Sequence, residues 1–446
     1  MTMSALEGLF LNRTEKFRDR YPHPEQVAGQ KRVQMYNDLT ALSNQARLNC
    51  YLIEKDSIRP LRNCEMHHHH EYPGTKIWQV DFAGNFSSTH YAPTYVHLLQ
   101  KMEEDTSSGG KIIPGKTTMI EVTTGSAGTA FGHVGRLVGY PRELIAPQEI
   151  RQWDPARWAV MEEAIRGDSL EGTLIPTEEN GAFLAGAVTL FRKRLVEVWG
   201  GKKGLHEGRY AIPNHSMVTA TIEATRAMGR RAIGLLEKIK VWPEALVLGI
   251  GNGTSTEGIF REFQERYRQV LLWGYQGCCN PGAFQQLMGR QVPDDMREDR
   301  VTLYGIDGTG NLETNFPAIQ RLGDLKQQGY LRDILLISRD ESEAMFETLN
   351  QGCLAASSQG KSSAAGIVAA ARVARSDFAR EQGIRNIVTW RYDTAIPYGA
   401  ALPQDSCAVY QTHGVWRHHN GFSLPAEEYV MRLSQNGKTP EQRLEP

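Results

Sequence analysis

Ile120-Glu121-Val122-Thr123-Thr124-Gly125-Ser126-Ala127-Gly128-Thr129-Ala130 decides how the rest of this chain is read. An apolar, β-branched run enters a turn of small residues, and apolar residues at helical spacing follow (Phe131, Val134, Leu137, Val138). This is strand, Gly-rich loop, helix, and in such a loop the backbone N–H groups point at the mouth of the helix, where a negative group is stabilised.

The same grammar recurs outward from that stretch. Ala245–Ile250 is followed by a helical pattern at 258–267, Asp333–Ser338 by one at 341–350, and Ile387–Trp390 is a further strand. Strands alternating with amphipathic helices imply parallel sheets in an α/β fold. Leu246-Val247-Leu248-Gly249-Ile250 is apolar throughout, as a strand covered on both faces must be. Residues 26–55 have helical spacing and read as part of a helical N-terminal extension, 1–55. Beyond about Gly399 the pattern turns irregular and polar, so 401–446 reads as a loosely packed C-terminal extension.

Composition narrows the partners. The chain has 446 residues, enough for two or three domains, and Lys+Arg 50 against Asp+Glu 51 leaves a net charge of −1. That balance points away from nucleic acid and from anionic membrane as partners. No apolar run approaches a membrane span, and Met1–Arg20 carries no apolar core of a secretion signal, so a cytoplasmic protein is expected. The six cysteines contain no CxxC pair and suggest neither a disulfide framework nor a cysteine zinc site. The adjacent Cys278 and Cys279 read as small buried hydrophobes. His67-His68-His69-His70 could offer alternate residues on one face of an extended segment, but reads as a solvated loop, and no metal site is expected. Gly305–Asn311 is Gly-rich without a following helix and reads as a loop.

A second Gly-rich turn, Gly249-Ile250-Gly251-Asn252-Gly253-Thr254-Ser255-Thr256-Glu257-Gly258, also links a buried strand to a helix. Its amides and hydroxyls suit a phosphate. It resembles the Gly-x-Gly-Gly-Thr-x-x-Gly phosphate loop of the pyridoxal-phosphate (PLP) enzymes of fold type II, which include cysteine synthase, cystathionine β-synthase, threonine synthase and the tryptophan synthase β chain. The 120–130 stretch resembles that family's substrate-carboxylate loop, Thr-Ser-Gly-Asn-Thr-Gly. Tyr210–His215 is similar to the segment that carries a glutamine towards the cofactor, with His215 in that place. Gly360-Lys361-Ser362-Ser363 resembles the loop whose serine faces the pyridine nitrogen, and Val388–Asp393 the last strand of the large domain.

The resemblance implies a two-domain fold with parallel-rich sheets flanked by helices. The small domain would be 85–215, the large domain 56–84 with 216–400, and the active-site cleft would lie between them. It also implies a homodimer and an amino-acid or carboxylate substrate. PLP would be contacted by Ser126, Gly251, Asn252, Gly253, Thr254, Ser255 and Ser362, and the substrate by Thr123, Thr124, Gly125, Ala127, Asn85 and Ser88.

One position departs from the pattern. The family lysine that forms the imine with PLP lies in Asn-Pro-x-Gly-Ser-x-Lys, and the matching stretch here is Asn85-Phe86-Ser87-Ser88-Thr89-His90-Tyr91. A phenol cannot condense with an aldehyde. Lys76 and Lys361 are the nearby substitutes, each read as a surface lysine. Three functions follow from retained loops with a lost lysine. PLP binds non-covalently in an enzyme of β-elimination or β-replacement, with Tyr91, His90 and His215 handling protons. Another anionic ligand is processed by the same residues. Or the protein is a non-catalytic binding relative.

Overall fold

The computed structural model describes residues 3–54, 57–61, 63–105, 112–123, 125–166, 170–178, 184–296, 316–350, 359–395, 410–414 and 428–432. Thirteen strands occur among them: β1 (Arg47–Ile53), β2 (Ser57–Leu61), β3 (Thr75–Asp81), β4 (Thr118–Val122), β5 (Arg142–Ala146), β6 (Gly172–Pro176), β7 (Tyr210–Ala211), β8 (Ala245–Gly249), β9 (Leu271–Gly277), β10 (Leu331–Ile337), β11 (Asn386–Arg391), β12 (Tyr410–Gly414) and β13 (Glu428–Arg432). They fall in two compact units. The first draws chiefly on Met1–Gln45 and Phe82–Ala224, the second on Ala46–Asp81, Thr225–Ile396 and the C-terminal strands.

The first unit holds a four-stranded, all-parallel sheet in the order β6-β5-β4-β7. Helix Ser126–Val138 follows β4 and is buried on nearly every side, as its Ala, Gly and Val content permits. The N-terminal helices Met3–Arg20 and Gly29–Ser43 belong to the same core: Phe10, Phe17, Met35, Tyr36 and Leu39 pack in one cluster with Tyr95, Phe131 and Tyr140. Phe10 stacks on the buried His133 ring at 4.2 Å, and burial lowers the basicity of that imidazole. Arg32 pairs with Glu103, whose carboxylate also accepts the hydroxyls of Tyr36 (2.6 Å) and Tyr140 (2.8 Å). A charge network so enclosed fixes how the helices dock.

The second unit is a nine-stranded sheet in the order β10-β9-β8-β11-β3-β1-β2-β12-β13. The run from β10 to β3 is parallel; β1, β2, β12 and β13 are antiparallel additions. Helix Lys361–Arg375, rich in Ala and Ser, lies on the parallel strands. It approaches closely because Gly366 has no side chain: a Cβ there would stand 2.9 Å from the Tyr275 hydroxyl and 3.0 Å from Thr389 Oγ1.

Three expectations need correction. The helical extension stops at Ser43, and 47–53 is strand β1, because Cys50-Tyr51-Leu52-Ile53 pairs in register with β3 and buries there; tertiary pairing overrides helical spacing. The irregular C-terminal stretch contains β12 and β13, with β12 extending the sheet beyond β2. The histidine run is helical, not extended. No helix among the described residues is long and apolar enough to cross a membrane. Cys278 and Cys279 are buried, as expected of small hydrophobes. Thr124 and the 305–311 loop lie outside the described residues.

Candidate active site

In the second unit the parallel strands end on one edge. The register aligns Asp81 of β3 with Arg391 of β11, and Ala245 of β8 with Ile387, so Asp81, Gly249 and Arg391 share the C-terminal edge. Open parallel sheets bind ligands at that edge. Arg391 and Asp81 form a buried ion pair there.

The Gly251–Gly258 turn leaves β8 at this edge and opens helix Thr254–Arg266. Gly253 caps the helix at a φ of +86°, and a Cβ on it would meet Ile319 Cδ1 at 3.0 Å and Ala318 Cβ at 3.2 Å. Asn252 Oδ1 accepts both the Thr254 N–H (3.0 Å) and its hydroxyl (2.7 Å), closing an Asx turn. Thr256 donates its hydroxyl to Gly249 O at 2.7 Å. Ser255 is buried at the second helical position. Glu257 in the same turn is neutralised by Arg261 (3.0 Å) and Arg321 (2.6 Å), which leaves one net positive charge beside the helix start.

The serine loop begins the helix that covers this sheet. Ser363 accepts the N–H of Tyr392 (3.0 Å), tying the helix to the end of β11. Ser362 is buried at the second helical position, and its carbonyl accepts the Tyr275 hydroxyl. The two substitute lysines are both committed elsewhere. Lys361 pairs with Glu343 at 3.0 Å. Lys76 stands level with Asn386, at the opposite, N-terminal edge, with its ammonium on the carbonyls of Tyr72 (2.5 Å) and Gly74. The five residues from Lys76 to Asp81 put about 16 Å between it and the ligand edge.

In the first unit the stretch matching the lysine motif is a tight loop stapled by Asn85. Its amide donates to Phe82 O (2.6 Å) and Thr89 O (2.8 Å), while its oxygen accepts the N–H and hydroxyl of Ser87 at 2.8 Å each. All its hydrogen-bonding capacity serves the loop. Ser88 takes a φ of +60°, and Arg13 from the N-terminal helix holds that turn through Asn85 O (2.6 Å) and Ser88 Oγ (3.1 Å). Tyr91 is the first residue of helix Tyr91–Glu104, with Thr89 Oγ1 accepting its N–H. The buried His90 ring lies 4.0 Å from the Tyr91 ring.

Tyr91 also meets His215 edge-on at 5.5 Å. His215 stands in a cluster that sequence reading missed. Its Nδ1 is 3.0 Å from the Tyr95 hydroxyl and 3.3 Å from Glu121 Oε2, and its Nε2 is 3.3 Å from Ser216 Oγ. Glu121 Oε2 also takes the Tyr95 hydroxyl (3.2 Å), and Oε1 takes the Val122 N–H (3.0 Å). Burial and the carboxylate push the Tyr95 phenol far above its ordinary range, so it keeps its proton and donates it to Glu121. A carboxylate oxygen can only accept, so Glu121 Oε2 at 3.3 Å favours the proton on His215 Nδ1 and the lone pair on Nε2. Tyr95 was legible as the residue one turn after Tyr91, and Glu121 as the one charge in a strand otherwise apolar.

The loop after β4 is compact. Thr123 Oγ1 accepts the Gly125 N–H at 3.2 Å, and Gly128 N–H bonds back to Gly125 O at 2.8 Å. Gly128 is required: its Cβ would stand 2.5 Å from Thr123 Cγ2. Ser126 opens the helix half-exposed, with Ala127 buried beside it. The buried Arg157, paired with Asp154 at 3.3 Å, lays its guanidinium against Gly125, where a Cβ would be 3.2 Å from Nη1. Its charge is balanced by Asp154, so the helix start itself is what suits a carboxylate here.

No family model matches the sequence. Cysteine synthase 3 of Caenorhabditis elegans is 36% identical over 50 residues, which span 11% of this chain and 15% of that protein. Solved structures resemble most of the chain. The hydrogen sulfide-producing enzyme Fn1055 of Fusobacterium nucleatum superposes with a TM-score of 0.57 at 15% identity, covering 84% of this chain and 92% of its own. The O-acetylserine-dependent cystathionine β-synthase of Helicobacter pylori gives 0.56 at 16%, covering 82% and 97%. O-acetylserine sulfhydrylase isoform 3 of Entamoeba histolytica gives 0.56 at 15%, covering 82% and 91%. The chain has the α/β fold of the fold type II PLP enzymes.

Proposed function

We propose that the protein is a lyase or transferase of the cysteine synthase-like type, acting on a β-substituted amino acid, with His215 moving the proton and PLP held without a covalent bond. The observation that carries this is the buried Glu121–His215–Tyr95 cluster with Tyr91 edge-on to the same imidazole. A carboxylate and an imidazole are enclosed together at the head of the β4 loop, an arrangement that costs desolvation and supplies a base of defined tautomer.

The residues fit the cofactor in part. The Gly253 turn, at a helix start with net positive charge beside it, suits the phosphate; Ser362 suits a ring nitrogen as a neutral hydroxyl. The Tyr91 phenol cannot form an imine with the aldehyde, and Lys76 and Lys361 are committed elsewhere. When bound, PLP supplies the electron sink that acidifies the substrate Cα–H. The chain's own residues do the rest. The Ser126 helix start holds the substrate carboxylate, His215 Nε2 takes the proton, and the Tyr91 hydroxyl donates one to the leaving group.

Two measurements test this. The purified protein with added PLP should show saturable binding with free-aldehyde absorbance, and borohydride reduction should leave no pyridoxyl-lysine on Lys76 or Lys361. It should also release a 2-oxo acid from β-substituted amino acids, and His215→Gln should abolish the release. Activity that persists after rigorous PLP removal would establish instead acid/base chemistry on another anionic ligand. The commitment of Lys76 and Lys361 favours that second reading. A homodimer in the cytoplasm completes the proposal, and sedimentation velocity tests the assembly.

A further inference from the structure

Glu54–Gly74 contributes nothing to the chemistry above, yet its histidines are not arranged at random. His69 is the anchor: its Nε2 bonds to Ile239 O at 3.0 Å, and its ring stands edge-on against Trp78 at 5.2 Å. With His69 turned inward, the single 3-10 turn His69–Glu71 presents its neighbours outward. Residues three apart eclipse in such a turn, so His68 and Glu71 share one side. Their donors, His68 Nδ1 and Glu71 Oε1, are 3.2 Å apart, and His70 Nε2 lies 3.8 Å from the same oxygen. The three donor atoms all fall within 4.8 Å of one another.

We propose that His68, His70 and Glu71 form a binding site for a borderline divalent transition metal, zinc(II) in the first instance, with the remaining coordination position open to water. Donors at zinc bond length around a tetrahedral ion are separated by about 3.3–3.4 Å; the two spacings to Glu71 lie close to this, and side-chain rotation brings the two imidazoles, within 4.8 Å of each other, to it. Two imidazoles with one carboxylate select zinc, nickel or copper over magnesium or calcium. The site leads into the start of β3, at the opposite edge of the sheet from the Gly253 turn, about a strand length away. It is therefore separate from the reacting atoms and acts on structure or regulation.

The full-length protein, stripped with chelator, is titrated with zinc(II) by calorimetry and with cobalt(II) by visible absorption. One ion per chain and a cobalt d–d spectrum of low coordination number are expected. Glu71→Gln and His70→Ala should each weaken zinc at least about tenfold, while His67→Ala leaves it unchanged. All three positions are exposed, so the fold should survive and circular dichroism checks it. A run of histidines binding only by composition would ignore Glu71 and respond equally to His67 and His70. That result, or no binding below millimolar zinc, overturns the proposal.

Discussion

Glu121→Gln should invert the proton arrangement of His215 without disturbing the fold. The Glu121 side chain is 6% exposed. Its Oε1 accepts the Val122 N–H at 3.0 Å, a closer bond than the His215 backbone N–H makes to Oε2 (3.4 Å), so the oxygen of a glutamine keeps the first place and the NH2 falls where Oε2 stood. That NH2 then faces His215 Nδ1, 3.3 Å from the present oxygen. Two donors cannot face each other, so Nδ1 gives up its proton and Nε2 takes one. A base becomes a donor at the atom assigned to proton transfer. The wrong tautomer in a carboxylate–histidine pair costs about 10⁴ in kcat in the best-known case, and a loss of about 10² to 10⁴ is expected here. Stability should fall by only about 1–2 kcal/mol for the glutamine, because shape and most hydrogen bonds persist. Glu121→Ala, which leaves the imidazole and phenol without their acceptor, should cost about 3–5 kcal/mol. The tautomer is read without any substrate, from ¹⁵N shifts of labelled histidine at pH 8.5, with His215→Gln providing the assignment among thirteen histidines. An unchanged tautomer in Glu121→Gln, or an alanine variant within about 1 kcal/mol of the parent, refutes the network as drawn.

Gly253→Ala should lower stability by about 1–3 kcal/mol: about 1–2 for an L-residue at positive φ and up to about 1 for crowding Ile319; urea unfolding checks it, and a cost below about 0.5 would mean the turn relaxes freely. Ser255→Ala should leave stability nearly unchanged but reduce the rise in melting temperature produced by PLP or inorganic phosphate; an equal rise would remove Ser255 from the anion site. Burial holds the Asp333 carboxyl up at about 6 despite Arg290. Between about pH 4 and 6 the native state therefore binds more protons than the unfolded chain, and stability falls as pH rises through that window. Asp333→Asn should flatten this slope in melting curves, and a slope as steep as the parent's would assign it elsewhere. Tyr91→Lys should create a borohydride-reducible imine with PLP; its absence, with PLP still bound, would show that position 91 does not reach the aldehyde.

What was legible in the sequence followed the range of the forces involved. Both Gly-rich turns were readable because a buried strand, a small-residue turn and a helical stripe lie within fifteen residues, and their constraint is local: Gly128 and Gly253 each lack room for a Cβ. The fold type was readable from the order of such units. Strand β1 was not, since its partner β3 lies some 28 residues on and only pairing gives Cys50-Tyr51-Leu52 a reason to extend. The acid/base cluster was half legible. His215 stood out by its place in a motif and Ser216 is its neighbour in sequence, but Glu121 and Tyr95 lie 94 and 120 positions away and only folding brings them to it. Asn85 was singled out as a substrate contact, yet its amide is committed to the loop around it. The histidine run was read as extended and is helical, because its geometry is set by a contact from His69 to a residue 170 positions away.

The two half-sites do not weigh equally as signs of chemistry. The Gly253 turn has a sufficient structural reason to exist: Ala318 and Ile319 pack where a side chain would be, and the Thr254 and Thr256 hydroxyls are used by Asn252 and Gly249. An anion there must rely chiefly on backbone amides of the first helical turn. The Glu121 cluster has no such structural reason. A leucine or glutamine at the end of β4 would spare the desolvation of a carboxylate, and a phenylalanine at 95 would pack against Phe131 as Tyr95 does at 5.6 Å. Three polar side chains are enclosed instead, mutually satisfied, with the imidazole also touched by Tyr91. Packing alone gives no reason for so costly a set where the fold would accept apolar residues. In the function proposed above, that set has one: the proton a family lysine would carry falls to His215.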